Sequence, residues 1–327
     1  MALAGKNILV TGGTGFIGSH LVEKLLNIGT NVFVSHQDTN PHSYFFKKNL
    51  NSKSVLIQLD VKDFKRTLDV ISKYEIVYVF HLAAQSIVST AFINPLETFE
   101  SNIMGTVNIL ESCRLYGKVK GIIVSSSDKA YGKIPRARET DPLVGNHPYE
   151  SSKSAADLIA QTYFVTYKLP VVVTRFGNTY GEGDLNFSRI IPGIMEAVVK
   201  NKMLKIRSDG KYVRDYVYVG DITSALITIL KSINKTKGEA FNVSSLENLS
   251  VVDLVKKVGE ILNVRIRYKI LNEAVNEIPI QSINFNKIRK YLGWKPQSNL
   301  SSTIPAIFSW YEEYFTSISQ PSDLVVK

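Results

Sequence analysis

Tyr149 and Lys153 stand four residues apart in Tyr149-Glu150-Ser151-Ser152-Lys153, inside a long helical pattern. On a helix that spacing puts both side chains on one face. A free phenol ionises near pH 10 and is a poor base at neutral pH, so it needs a nearby cation to favour the phenolate. The Lys153 ammonium is the expected source. Upstream lies Ser125-Ser126-Ser127-Asp128-Lys129-Ala130-Tyr131-Gly132. A carboxyl and an amine in adjacent positions are two proton carriers. Elimination of water needs that many: a base for the carbon-bound proton and an acid for the departing hydroxyl. The plainer reading of Asp128-Lys129 is a loop salt bridge at the surface.

These groups need a scaffold to meet a substrate. Ile8-Leu9-Val10 runs into Thr11-Gly12-Gly13-Thr14-Gly15-Phe16-Ile17-Gly18, and a helical pattern follows with Phe16, Ile17, Leu21, Leu25 and Ile28 on one side. Strand, glycine turn and helix are the context of a dinucleotide fingerprint. One glycine permits the tight turn, one lets backbone N–H groups approach a pyrophosphate, and Gly18 lets the helix pack close to the sheet. A glycine turn that binds nothing is the alternative. Further apolar runs at Val32–Val34, Val55–Ile57, Ile76–Phe80, Gly121–Val124 and Val171–Val173 read as strands buried on both faces. They alternate with helical patterns, including two long ones at about 96–116 and 149–168, which predicts a doubly wound parallel sheet.

After Val173 the alternation weakens. The expected fold class is α/β, a Rossmann-type doubly wound sheet with a smaller, interleaved α/β substrate domain. The expected boundaries are 1–174, with 212–232 returning, for the dinucleotide domain. The substrate domain takes 175–211 and 233–318, and 319–327 is a polar tail.

The chain has 327 residues, 44% of them hydrophobic, enough for a large core. Its formal charge is +10, but the lysines are scattered and form no basic block interleaved with aromatics. A solvated lysine-rich surface ranks first, an anionic substrate second and nucleic acid last. The five histidines show no paired ligand spacing, so no metal is expected. No apolar run approaches a membrane span. The N-terminus enters the first strand at once, leaving no room for a signal peptide. The single Cys113 fits buried packing in a reducing cytosol. A cytoplasmic protein is expected.

Gly12-x-x-Gly15-x-x-Gly18, preceded by Thr11, resembles the extended short-chain dehydrogenase/reductase superfamily, and the resemblance spans nearly the whole chain. It implies a bound nicotinamide cofactor, NAD or NADP, and a nucleotide-diphosphate sugar as substrate. On that resemblance Gly12, Thr14, Gly15, Phe16, Ile17 and Gly18 belong to the cofactor cradle. Asp60, beside Val61, takes the place of an acid that contacts the adenine amine. Leu82, Ala83 and Ala84, within His81-Leu82-Ala83-Ala84-Gln85, form a turn kept small to clear the cofactor. Ser125, Tyr149 and Lys153 complete the cofactor contacts. Asn102 sits where the family places an asparagine that holds the active-site helix. Ser127 joins Tyr149 and Lys153 in the catalytic set. Gln85, Asn178, Arg189 and Arg214 are the implied substrate contacts; the planar fork of Arg214 suits a phosphate. The two long helices would pack against their twins as a four-helix bundle in a homodimer.

Within the superfamily, sugar-nucleotide epimerases usually carry only small residues between that serine and the Tyr-Gly pair. The 4,6-dehydratases carry an ionisable pair there: Asp-Glu in the deoxythymidine-diphosphate-glucose enzymes, Asp-Lys in the CDP-glucose enzymes and some UDP-N-acetylglucosamine dehydratases. Asp128-Lys129, and Asp184–Pro192, resemble the CDP-glucose branch. The implied activity is a 4,6-dehydratase of nucleotide-sugar metabolism, serving polysaccharide biosynthesis, that recycles hydride through its bound cofactor. Its catalytic residues would be Ser127, Asp128, Lys129, Tyr149 and Lys153. The rivals are a 4-epimerase of UDP-glucose or UDP-N-acetylglucosamine, and a non-catalytic NAD(P)-sensing regulator that could dispense with the tyrosine and lysine. Glu277–Gln281 and Leu292–Pro296 match C-terminal elements of these enzymes.

One departure stands out. NAD-preferring members usually end the second strand with an acid for the ribose 2′-hydroxyl. Here that place holds His36. Ser35, His36 and Lys47 or Lys48 are candidates to accept a 2′-phosphate, so NADP is as eligible as NAD.

Overall fold

Aliphatic runs without polar alternation must be covered on both faces, which calls for a parallel sheet between helices. The computed structural model, which describes residues 2–273 and 278–319, contains that sheet. In chain order the strands are β1 (Asn7–Thr11), β2 (Asn31–His36), β3 (Val55–Gln58), β4 (Tyr78–His81), β5 (Gly121–Ser127), β6 (Val171–Phe176), β7 (Asn178–Tyr180), β8 (Leu204–Ile206), β9 (Val213–Tyr218), β10 (Ala240–Val243), β11 (Asn248–Ser250), β12 (Tyr268–Ile270) and β13 (Ile280–Gln281). Seven form one sheet in the order β10-β6-β5-β4-β1-β2-β3, every pairing parallel. This is the doubly wound Rossmann-type fold. The order reverses between β1 and β4, so a ligand crevice opens beyond the carboxyl ends of those two strands. One apolar core lies on each face of the sheet.

A second sheet is built on β9, flanked by β11 and β13, with β7 also paired to β9. It covers a third core with helices Ile190–Val199, Val251–Leu262 and Leu300–Ser319. The expected boundaries need adjustment here. β9 lies in the returning segment 212–232 yet belongs to the second sheet, and only the helix after it, Val219–Lys231, packs on the main one. Conversely β10, inside 233–318, is the edge strand of the main sheet. The physical reason is that β9 faces two cores, with Val217 in one and Tyr216 in the other. A run buried on both faces does not reveal which sheet it joins.

The two long helical patterns are present with one refinement. The first is Pro95–Phe99, a π-helical turn Glu100–Met104, then Gly105–Tyr116. Such turns recur at functional sites, and this one carries Asn102. The second is Pro148–Tyr167. The last helix reaches Ser319; the rest of the expected tail, and Glu277, lie outside the described residues. Among the described residues no helix is long and apolar enough to cross a membrane, and no cluster of His, Cys, Asp or Glu is placed to hold a metal ion.

Candidate active site

At the switch point the glycine turn is closed by backbone contact. Gly12 has φ +65°, and a Cβ there would lie 2.9 Å from the Cα and N of Ala83. A Cβ on Gly18 would run into the Gly12 carbonyl oxygen. Helix Phe16–Asn27 starts from Gly15 with no side-chain cap and no acidic residue in its first turn. Its leading N–H groups and positive dipole end therefore face outward without a side-chain partner, the setting for a pyrophosphate. Thr14 and Ile17 flank this start, and Phe16 packs toward Gly181. Leu82 and Ala83 donate their N–H groups to Thr11, and Ala84 follows in the same turn. The cradle fits a dinucleotide: small, uncapped, and lacking room for a side chain where its backbone must approach closely.

A buried polar chain ties this turn to helix Pro148–Tyr167. Thr11 Oγ1 and His81 Nδ1 are 2.8 Å apart, and His81 Nε2 and Thr106 Oγ1 are 3.1 Å apart. Burial, aided by the Lys153 charge, pushes His81 down to about 3, so it is neutral. Thr106 donates to the Asn102 carbonyl. Asn102 Oδ1 accepts from the Gln85 N–H at 2.7 Å, and its Nδ2 donates to Ser152 Oγ at 2.9 Å. Asn102 thus joins the loop after β4 to the helix bearing Tyr149. Gln85 turns its own amide back onto Ile87, with both ends bonded to that backbone.

Ser127, at the end of β5, donates to Asp128 Oδ1 at 3.0 Å and accepts from the Lys129 N–H. Asp128 is 5% exposed, and its Oδ2 is buried with no partner. Burial pushes its carboxyl up to about 6, although Lys129 and the Ser127 bond pull the other way. A surface salt bridge is therefore not what Asp128-Lys129 forms. Lys129 reaches Gln281, its Nζ 2.9 Å from Oε1.

Tyr149 and Lys153 do share a helix face, but their electrostatics differ from expectation. Burial raises the Tyr149 phenol above its ordinary value; Ser127 and the Arg189 charge oppose this, and Asp128 adds to it. Lys153 is pushed down to about 8 by burial, against the nearby Asp157, and it donates to the Ser125 carbonyl at 3.0 Å. The positive charge that bears on Tyr149 is thus Arg189, from the start of helix Ile190–Val199, where it also pairs with Asp184 at 3.1 Å.

His36 is the last residue of β2, and its Nδ1 is buried without a partner. Ser35 Oγ accepts from Gly12 N. Lys47 lies over the Trp310 and Tyr314 rings and Lys48 over Tyr44. Asp60 Oδ1 caps its own turn by accepting from Lys62 N, and Val61 packs against Gly105.

On the second sheet, Asn178 is opposite Tyr216 and Gln281 is opposite Arg214. Since Arg214 and Tyr216 are two apart on β9, all four share one face. Asn178 Nδ2, Tyr216 OH and Gln281 Nε2 are each buried without a partner. Arg214 donates to the Val213 carbonyl. The sequence reading assigned no role to Tyr216 or Gln281, because pairing between strands distant in the chain leaves no local spacing to read. It also missed the buried pair of Arg175 and Asp157, 2.7 Å, which fixes helix Pro148–Tyr167 to β6.

Comparison with known proteins accords with this geometry. The family model described as GDP-mannose 4,6 dehydratase matches residues 9–307. A human dTDP-D-glucose 4,6-dehydratase is 30% identical over 325 residues, covering 95% of this chain and 91% of its own. Among solved structures, a UDP-glucose 4-epimerase with UDP-glucose from Thermotoga maritima superposes with a TM-score of 0.86 at 29% identity, covering 94% and 99% of the two chains. A dTDP-glucose 4,6-dehydratase from Bacillus anthracis in complex with NAD gives 0.81 at 28% identity, covering 94% and 97%. The chain belongs to the extended short-chain dehydrogenase/reductase family of nucleotide-sugar dehydratases and epimerases, the family that the GDP-mannose 4,6 dehydratase model describes.

Proposed function

We propose that this enzyme is a nucleotide-diphosphate-hexose 4,6-dehydratase, with CDP-glucose or a related sugar nucleotide as substrate. The observation that carries the reading is Asp128: a buried carboxyl pushed up to about 6, with one oxygen tied to Ser127 and the other unpartnered. A carboxyl held partly protonated near neutrality is an acid in waiting, and a 4-epimerase has no use for one here.

The glycine cradle, Ala83, Asn102, Tyr149, Lys153 and the end of β2 at His36 would hold NAD or NADP. When bound, the nicotinamide supplies a hydride acceptor and donor. Tyr149 takes the proton of the C4 hydroxyl, with Ser127 and the Arg189 charge favouring its ionised form. The 4-keto group then acidifies C5–H. Lys129, as the amine, takes that proton; the C5–C6 double bond forms as the C6–O bond breaks, and Asp128 protonates the departing hydroxyl to water. Arg214, Asn178 and Arg189 hold the diphosphate end.

The exposed apolar side chains Leu96, Met104, Leu115, Leu158 and Val165 on the two long helices support a homodimer built as a four-helix bundle. Sedimentation of wild type against Leu158→Arg tests it; identical monomer-sized behaviour of both would reject it.

A substrate deuterated at C4 decides the reaction. A dehydratase yields a 4-keto-6-deoxy product one water lighter, with deuterium on C6 and solvent hydrogen at C5. A product of unchanged mass with deuterium still at C4 would make the protein an epimerase.

A further inference from the structure

Gln281 belongs to β13, a strand of two residues laid beside β9. It is 3% exposed. Its neighbours are pinned from both sides. The Ile283 N–H donates to Asp215, the Arg136 and Ala137 N–H groups donate to Ser282, and the Asn284 N–H donates to the Ala137 carbonyl. The Gln281 side chain is therefore rooted in a rigid segment clamped between the loop after Tyr131 and the second sheet. From there it reaches Lys129, 152 positions away in sequence, with an Nζ–Oε1 distance of 2.9 Å. Its own strand partner across the ladder is Arg214.

A carboxamide is an unusual partner for a lysine that must lose and regain a proton. A carboxylate in that place would favour the ammonium by Coulomb attraction. A carboxamide carries no net charge. It accepts a hydrogen from the amine through Oε1 and leaves the nitrogen lone pair open. The contact therefore serves both protonation states. Meanwhile Gln281 Nε2 is buried with no partner, a donor available to a ligand on the face it shares with Arg214, Asn178 and Tyr216.

We propose that Gln281 is the positioning residue of the elimination step: it aims Lys129 at the reacting carbon without adding a countercharge of its own, and links Lys129 to the face that holds the diphosphate. The inference rests on the dehydratase reading. Among the described residues, the charged and titratable groups around Lys129 and Gln281 include Asp128 beside Lys129 in sequence, Tyr149 and Arg189 through Asp128, and Arg214 and Asp215 from β9.

Two variants test it, each with product analysis by mass and a pH profile of kcat. Gln281→Met keeps length and removes the polar contact; kcat for water loss should fall at least about tenfold, the scale of a misplaced proton-transfer group. Gln281→Glu keeps the contact but holds Lys129 as the ammonium. Its kcat at pH 7 should also fall, and should recover as pH rises, with the limb that reports the base displaced upward by about one unit or more. A purely structural role would lower melting temperature and leave that limb in place. If wild type makes the 4-keto-6-deoxy sugar and folded Gln281→Glu keeps the wild-type profile, the Gln281 inference fails alone. If wild type returns a product of unchanged mass, the dehydratase reading fails and takes this inference with it.

Discussion

Around β1 and β4 the buried polar groups close on one another. Thr11, His81, Thr106, Asn102 and Ser152 form a continuous chain in which each side chain has a partner. On the second sheet the opposite holds. Asn178, Tyr216 and Gln281 each leave a buried donor unpaired, and Asp128 leaves a buried oxygen unpaired close by. A buried polar group without a partner costs roughly 1–3 kcal/mol; the second sheet gathers three of them on one face, whereas in the dinucleotide domain they stand singly, as at His36, Ser112 and Ser126. The dinucleotide side is shaped by sterics and finished on folding. The sugar-nucleotide side is left with open valences that a polar, anionic ligand would satisfy.

The sharpest way to break the first side is to fill it. Gly18→Ala puts a methyl against the Gly12 carbonyl and the Gly13 Cα, where only backbone could yield. Dinucleotide retention should be abolished, as read by nucleotide released on denaturation. Overpacking of this kind typically costs about 1–3 kcal/mol, visible as a lower melting temperature. Full retention in a folded variant would show that the turn is not the cradle.

Next in size is Tyr149→Phe. Folding and cofactor retention should be near wild type, because the aromatic ring stays and only the hydroxyl is removed. Turnover should drop by roughly a hundredfold or more, the contribution of a lost general base. Turnover near wild type would remove Tyr149 from the mechanism.

Asp128→Asn separates function from stability on the open side. The folded-state pKa of Asp128 is raised to about 6 from an ordinary value of 3.8. Relative to the unfolded chain, its contribution is fully present below the ordinary value and is lost as pH climbs through about 6. At pH 7 the wild type therefore buries a carboxylate at a cost of at most about 3 kcal/mol, from roughly 1.4 kcal/mol per unit. The asparagine avoids that cost. Denaturant titrations should find Asp128→Asn more stable than wild type at pH 7 and close to it at pH 4, while elimination slows. Equal stability at both pH values would mean that the carboxyl is not desolvated.

How much of this was legible in the chain follows the same division. The glycine turn, the Tyr149–Lys153 face and the strand ending at His36 are local, because their spacing within a helix or strand decides their geometry. The doubly wound, parallel character of the main sheet followed from the alternation of strands and helices; its strand order did not. Two things escaped. The first was which sheet β9 and β10 join, since a run covered on both faces looks the same in either. The second was every group that meets across long separations: Gln281 with Lys129, Arg175 with Asp157, and Arg189 with Tyr149. The expected Lys153 effect on Tyr149 gave way for the same reason. Burial dominates both groups, and no spacing rule reports burial.

The smallest expected effect lies where the two sides' logic overlaps, at His36. This residue ends β2 in the finished half, yet its Nδ1 is buried without a partner, like the groups of the open half. An acid there would accept from a ribose 2′-hydroxyl and repel a 2′-phosphate. A histidine does neither, and can donate to the phosphate. The purified protein should bind NADP at least as well as NAD, by equilibrium titration and by identification of the nucleotide it releases. His36→Asp should shift the ratio toward NAD by roughly tenfold, about 1.4 kcal/mol, without changing melting temperature by more than a degree or two. That outcome would place His36 among the ligand-facing groups despite its position on the main sheet. Exclusive recovery of NAD from wild type, with no measurable NADP binding, would instead assign the unpaired nitrogen to the closed half, as a cost of packing that no ligand relieves.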